Sequence, residues 1–394
     1  MYPGISDILN DFFGTHIGVS FPPTFGTLVA ISFLLAAWTL GMELRRRERL
    51  GILKPIIRKV IVGKPVNSSD LFWNALFGFL IGFKIIYAIQ NSDEFFADPQ
   101  AVILSATGSW PAGIAGAALL AWLKYREKKK QQLPEPVIRD EIVYPHMQVS
   151  EFTMMAALGG LVGAKVFHLL EYWEDFLRDP SGMFFSGSGL TMYGGLIVGG
   201  LAVLWYGRKQ NIPPLQLCDA AAPGLMLAYG TGRLGCQLAG DGDWGIVNNS
   251  PKPDVLGFLP DWFWSFRYPH NVINEGIPID GCTGHHCYQL QEAVFPTPLY
   301  ESIACIGLFF LLWSVRKKIE APGLMFSMYI LFNGIERFLI EAIRINSKYS
   351  VAGIEFSQAQ LISALLILAG ICGIIFFKNR NRIEKKMEIQ EKSG

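Results

Sequence analysis

Charge is what this 394-residue chain has least of. Aspartate, glutamate, lysine and arginine make up 17% of it, against 51% apolar residues. That balance excludes an ordinary soluble protein and predicts an all-α integral membrane protein, a polytopic helical bundle. With 34 basic and 33 acidic side chains there is no cationic excess, so a nucleic-acid partner is excluded too. Cysteine is sparse, six in all. Cys218, Cys236, Cys305 and Cys372 lie within or beside apolar runs and read as small hydrophobes. Cys282 and Cys287, in the run CTGHHC, either form a disulfide or bind metal with His285 and His286. The first twenty residues lack a basic segment and carry Asp7 and Asp11, so no cleavable signal peptide is expected. Ile5 to Phe13 reads as a short helix on the outer surface.

Long apolar runs are present in number. Nine spans are expected, at 24–42, 69–89, 101–123, 153–171, 191–206, 216–238, 297–315, 323–343 and 359–377, each about the length that a hydrocarbon core of ~30 Å requires. Basic clusters follow spans one, three, five, seven and nine: Arg45 to Arg47 with Lys54 to Lys64, Lys124 to Lys130, Arg208 and Lys209, Arg316 to Lys318, and Lys378 to Lys386. Every second connection is therefore basic, which places the N-terminus outside and the C-terminus inside.

Spans two and three repeat as spans four and five at a constant offset of 81 residues. Gly78 matches Gly159, Gly82 matches Gly163, Lys84 matches Lys165, Phe95 matches Phe176, Asp98 matches Asp179, Pro99 matches Pro180 and Gly113 matches Gly194. The pattern reads as a duplicated hairpin. Residues 1–394 are thus one transmembrane domain. Within it, 70–150 is an extra hairpin with a basic linker, the internal duplicate of 151–210, and 241–295 is an extracytoplasmic loop rich in aromatics. Only the second copy carries Tyr193-Gly194-Gly195-Leu196 where the first has Ala112-Gly113-Ile114-Ala115.

Two spans hold arginine at depth. In GRLGCQLAGDGDWG, Arg233 lies about five residues before the end of span six. A cation at mid-bilayer costs about 2.5–3.5 kcal/mol, which marks it as functional or paired. Span eight ends in NGIERFLIEAIR. There Arg337, Glu341 and Arg344 share one helical face, and the first two are spaced to pair. Arg344 falls near the outer interface, where an interfacial ion network is expected. Both spans run outward, so Arg233 and Arg337 reach similar depths. Planar guanidinium groups suit bidentate capture of phosphate, and a phosphate-bearing molecule among membrane helices is most simply a phospholipid.

These residues carry a resemblance to the prolipoprotein diacylglyceryl transferase family. Its signature Gly-Arg-x-Gly-Asn-Phe, followed by an acidic residue and glycine, resembles Gly232-Arg233-Leu234-Gly235-Cys236-Gln237 with Asp241 and Gly245. Its His-Gly-Gly-Leu resembles Tyr193 to Leu196, its Pro-x-x-Leu-Tyr-Glu resembles Pro296 to Glu301, and its Arg-x-x-x-Glu-x-x-Arg resembles Arg337 to Arg344. Phe25-Gly26 resembles the family's Tyr-Gly at the start of span one. The chain departs from the family at Cys236, Tyr193, Phe25 and Asn333, and by one residue inserted between Asp241 and Gly245.

The resemblance implies an enzyme of a bacterial cytoplasmic (inner) membrane. It would transfer the diacylglyceryl group of phosphatidylglycerol to the lipobox cysteine of a prolipoprotein signal peptide, among membrane lipids and without cofactor or metal. Arg233, Arg337, Tyr193 and Asp241 are the expected catalytic residues. Gly194, Gly195, Gly235, Cys236, Gly245, Glu341 and Arg344 are expected to line the substrate, and His168 is an alternative base. The rival readings are a membrane transporter and a lipid-binding protein without turnover. The parallel orientation of the two hairpin copies argues against the first.

Overall fold

In the computed structural model the apolar runs become helices. All residues are described except 18, 19, 92–94, 96–101, 103, 104, 186–188, 190, 346, 347, 352, 353 and 394. Helices α1 (Ile5–Phe13) and α2 (Thr24–Arg49) open the chain, followed by strand β1 (Ile56–Val62), helices α3 (Ser68–Gln90) and α4 (Trp110–Gln131), and strand β2 (Val137–Val143). Then come α5 (Val149–Glu171), the short α6 (Trp173–Arg178) and α7 (Pro180–Phe185), α8 (Met192–Lys209) and α9 (Pro214–Ala239). After a long loop with strands β3 (Ile277–Pro278) and β4 (Tyr288–Gln289), the chain ends with α10 (Thr297–Val315), α11 (Leu324–Glu341), the β5 (Lys348–Val351) and β6 (Ile354–Ser357) hairpin, and α12 (Gln358–Ser393).

Among the described residues, five helical segments are long and apolar enough to cross a membrane: Thr24–Arg49, Ser68–Gln90, Pro145–Glu171, Thr297–Val315 and Gln358–Glu384. Helices α4, α8, α9 and α11 lie where the other four spans were expected. The chain divides into two compact units, Met1–Ile52 with Gly207–Gly394, and Leu53–Tyr206.

The first unit is built around α9. Pro214 opens this helix, where a missing N–H costs nothing, and Gly240 closes it in the left-handed conformation with its N–H on Cys236 O. Lipid tails are as apolar as leucine, so helices in a bilayer associate by close packing and hydrogen bonds between them. The small residues of α9 serve that purpose. A Cβ on Gly224 would stand 2.4 Å from Thr39 Oγ1 on α2, and one on Gly230 would stand 3.1 Å from Cys305 Cβ on α10. The Ser32 and Thr231 hydroxyls bond at 2.8 Å across the α2–α9 contact. Ala222, Met226, Leu227, Cys305, Phe309, Leu312 and Met325 form the apolar core. Buried Asp219 accepts from the Gly323 and Phe326 N–H groups at 2.7 and 2.9 Å, so a side chain of α9 satisfies the open amides at the start of α11.

The long loop has a core of its own in Trp244, Tyr268, Leu290 and Val294. Tyr268 is fully buried and donates its hydroxyl to Gln237 Oε1 at 2.7 Å, which ties the loop to α9. The Met1 ammonium donates to Pro269 O at 2.8 Å, and Cys282 and Cys287 are joined as a disulfide.

The second unit holds two helical hairpins. Helices α3 and α4 approach so closely that a Cβ on Gly78 would lie 2.2 Å from Gly116 O, and a Cβ on Gly163 of α5 would lie 2.3 Å from Gly194 O of α8. The basic linker expected at the end of 70–150 is structured. Helix α4 continues to Gln131, its last turn carrying Lys128, Lys129 and Lys130, where cations complement the negative end of the helix dipole. Strand β2 then pairs antiparallel with β1, with Lys59 opposite Asp140 at the centre. The bounds of α5 lie 81 residues beyond those of α3, and the bounds of β2 lie 81 residues beyond those of β1. At that offset the strand regions also share residues: Pro55 and Pro136, Ile57 and Ile138, Arg58 and Arg139, Ile61 and Ile142, Val62 and Val143. Asp98 and Pro99 lie outside the described residues.

Candidate active site

Four segments of the first unit meet beyond the last turns of α9. The chain leaves that helix through two residues of positive φ, Gly240 at 68° and Gly242 at 97°, which let it turn back within a few residues. It then bonds to the segments before α10 and after α11: Gly245 N–H donates to Phe295 O and Ile246 N–H to Ile343 O, each at 2.9 Å. A Cβ on Gly245 would stand 2.5 Å from Ile343 O, so only glycine lets the loop lie this close. The Thr297 hydroxyl at the head of α10 holds Asp243 O at 2.9 Å. The loop is thereby pinned with Asp243 facing Arg344.

Glu301, one turn into α10, is fully buried and is the hub of the site. Its Oε2 takes Arg233 Nε at 2.5 Å and the Tyr229 hydroxyl at 3.0 Å. Its Oε1 takes Arg344 Nη1 at 2.9 Å and Arg337 Nη1 at 3.4 Å. Arg233 and Arg344 share a second acid: Arg344 Nη2 reaches Asp243 Oδ1 at 2.6 Å, and Arg233 Nη1 bonds to Asp243 Oδ2. Arg337 has Glu341 as its other partner at 3.3 Å, and Glu341 accepts the Ser357 hydroxyl at 2.7 Å.

Three guanidinium groups and three carboxylates therefore form one network. In low dielectric such charge-assisted bonds are strong, and truncating one member of a buried pair strands its partner at a cost of about 3–5 kcal/mol. Arg344 was expected in an interfacial network. Its side chain is instead buried, with 8% exposed, because Glu301 and Asp243 hold it inside.

Asp241 and Cys236 stand beside this network, hydrogen-bonded to each other. Burial pushes the Asp241 carboxyl above its ordinary value, and the Cys236 bond only partly offsets that. Burial acts on Asp243 in the same sense, but the Arg233 and Arg344 guanidiniums outweigh it and hold the Asp243 carboxyl low. The ligand atoms of Cys236, Asp241 and Asp243 fall within 4.8 Å of one another. Arg233 Nη1 already contacts Asp243 and, at 3.9 Å, Cys236 Sγ, so a metal cation there would face a guanidinium.

Of the residues expected from sequence, Arg233, Arg337, Glu341, Arg344, Asp241, Cys236 and Gly245 come together here. Gly235 packs against α2, where a Cβ would stand 3.2 Å from Leu28 Cβ and 3.4 Å from Phe25 Cδ2. Tyr193, Gly194 and Gly195 stand on α8 of the other unit. Gly194 and Gly195 face α5 there, a Cβ on each falling 2.5 Å from Gly163 O and 3.1 Å from Gly160 O respectively. His168 belongs to the same unit, its ring 4.8 Å from that of Tyr172 and tilted 47° to it.

Sequence reasoning assigned no role to Glu301, Asp243 or Tyr229. Glu301 had a signal: it is a carboxylate at the head of an apolar span, where an acid must find a partner. Asp243 had none, since two aspartates in a loop are an ordinary solvated pair until the fold seats one of them on arginines.

The profile of the family described as prolipoprotein diacylglyceryl transferase matches residues 112–376. A phosphatidylglycerol–prolipoprotein diacylglyceryl transferase of Enterococcus faecalis is 30% identical over 288 residues, covering 70% of this chain and 90% of the relative. One from Lactobacillus acidophilus is 30% identical over 278 residues, with 69% and 85% covered. Transferase 2 of Clostridium perfringens is 29% identical over 243 residues, with 61% and 81% covered.

Proposed function

Since the chain belongs to the prolipoprotein diacylglyceryl transferase family, we propose that it is a multi-pass membrane transferase that moves the diacylglyceryl group of phosphatidylglycerol onto a prolipoprotein thiol. The observation that carries this reading is the convergence of Arg233, Arg337 and Arg344, from two helix ends, on the buried Glu301 carboxylate. A site that concentrates guanidinium groups in a membrane span is built to hold phosphate.

The acceptor is the lipobox cysteine of a signal peptide. Its sulfur attacks the glyceryl carbon esterified to phosphate. An S–C bond forms, the C–O bond to phosphate breaks, and glycerol phosphate departs. Negative charge builds on that phosphate, and the arginines stabilise it. The thiol proton goes to Asp241. A free thiol titrates near 8.5, and the buried Asp241 carboxyl, whose affinity for a proton is raised, is better matched to it than a solvated aspartate would be. Glu341 and Glu301 orient the arginines. Cys236 lines the lipid site beside Arg233, and Gly245 lets the loop that carries Asp243 lie against the end of α11.

The bundle crosses a bacterial inner membrane nine times with the N-terminus outside, so 241–295 faces away from the cytosol and covers the site. Residues 53–133 and 134–206 are two copies of one strand-and-hairpin module, supported by the common offset of their strands and helices. Lipidation of a prolipoprotein peptide by the purified chain in phosphatidylglycerol proteoliposomes tests the reading. Thioether-linked product is expected. Its absence, together with failure to complement a strain depleted of its transferase, rejects the activity.

A further inference from the structure

The charge balance of the arginine network raises a question the transfer reaction must answer. Arg233, Arg337 and Arg344 are already matched by Asp243, Glu301 and Glu341. A phospholipid phosphate that joined them would add a fourth anion to a buried site, which is costly unless one resident carboxylate withdraws. The three carboxylates are not equally free to do so. The Glu301 and Glu341 side chains are 0% and 1% exposed, whereas that of Asp243 is 35% exposed. Glu301 is held by four donors inside a helix, and Glu341 sits at the end of α11 under the Ser357 hydroxyl. Asp243 alone stands on a loop, one residue beyond Gly242, whose φ is 97°. Its two oxygens bridge Arg233 and Arg344 as two oxygens of a phosphate would.

We propose that Asp243 is a resident counter-anion occupying the phosphate's place between Arg233 and Arg344, and that substrate enters by exchanging with it. The phosphate oxygens then take the two guanidinium faces that Asp243 leaves, and the Asp243 side chain rotates outward while Thr297 keeps hold of its backbone O. Arg337, whose partners Glu301 and Glu341 are both fully buried, stays in place and offers its remaining N–H donors to the phosphate. Within the arginine network the exchange keeps three anions paired with three cations, with Asp241 outside it. It also lets the departing glycerol phosphate be expelled by the return of Asp243. This inference rests on the transferase reading, since it takes the phosphate to be that of phosphatidylglycerol.

The test is the Asp243→Asn variant, which keeps the side-chain volume but removes the competing charge. Inhibition by glycerol phosphate should tighten about tenfold or more, the yield expected from removing a charge-assisted competitor. The KM for phosphatidylglycerol should fall, and kcat should fall with it as product release slows. Asp243→Glu, which restores an anion, should return both toward wild type. A purely structural Asp243 would leave glycerol phosphate affinity unchanged or weakened in Asp243→Asn, and that result overturns the proposal. Should neither variant fold, the infrared difference spectrum of the wild-type protein on adding glycerol phosphate decides. A carboxylate-stretch change is expected, and a difference spectrum without one rejects the exchange. Glycerol phosphate binding is read without turnover. A wild type that binds it but transfers nothing sinks the transferase reading alone, whereas a wild type that transfers while Asp243→Asn binds no tighter sinks the exchange alone.

Discussion

Arg233 and Arg337 rise from different helices onto opposite oxygens of one carboxylate: Arg233 Nε lies 2.5 Å from Glu301 Oε2, and Arg337 Nη1 lies 3.4 Å from Glu301 Oε1. Two cations at that separation repel unless an anion stands between them. Glu301 is that anion, and it leaves the remaining N–H donors of both arginines for other acceptors.

Loss of either arginine removes a donor from the developing phosphate charge. Arg233→Ala and Arg337→Ala should each lower transfer about 100- to 1000-fold, the usual effect of deleting one oxyanion donor, while the protein still inserts. Arg233→Lys should recover little, because an ammonium supplies charge without the two-pronged fork that spans Glu301 and Asp243. Normal rates of peptide lipidation in proteoliposomes for Arg233→Lys would show that the fork is not needed.

Glu301→Gln keeps the shape of the hub but takes its charge from three guanidiniums at once. The expected penalty is about 3–5 kcal/mol, seen as a lower thermal unfolding midpoint in detergent, together with loss of transfer. An unfolding midpoint equal to that of wild type would mean that the arginines find other anions and that Glu301 is not the hub.

Asp241 and Asp243 should pull stability in opposite directions with pH. Burial is outweighed at Asp243 by Arg233 and Arg344, so its carboxyl lies below 3.8. Its stabilising contribution is present above 3.8 and fades as pH falls through the lowered value. Burial raises Asp241 above 3.8, so ionising it in the folded protein costs stability, and that cost accumulates as pH rises from 3.8 through the raised value. At neutral pH, Asp241→Asn should therefore unfold above wild type and Asp243→Asn below it, both differences shrinking in acid. Thermal unfolding across a pH series checks this, and a pair of variants shifting in the same direction would contradict it.

On the proposed duplication, residues 53–133 make up one full copy of the module. Deleting them joins Ile52 to Pro134 and leaves strand β2 without its partner, but it keeps Tyr193 and the whole arginine network. The shortened chain should insert with both termini on their original sides and retain transfer, measured by reporter fusions at each end and by peptide lipidation. An inserted but inactive product would show that the first copy contributes to catalysis.

The expectation of a helical membrane bundle rested on features that are local along the chain. Apolar runs of span length and basic residues at alternate ends are set by the solvent each segment must meet, so they are written residue by residue. The same holds for the pairing of Arg337 with Glu341, which follows from helical spacing. Linear order could not show where α10 would place its first turn. It could not show that the glycine-hinged loop after α9 would fold back onto Ile343, nor that Arg344 would be drawn inward from the interface. Those outcomes depend on close approach between elements distant in sequence: Gly245 against the end of α11, and Glu301 among three arginines. The choice of Asp243 over Asp241 as the arginines' partner is of the same kind. Two aspartates two residues apart have nearly the same intrinsic proton affinity, and only the packing of α9, α10 and α11 gives one of them two cations and leaves the other beside a thiol.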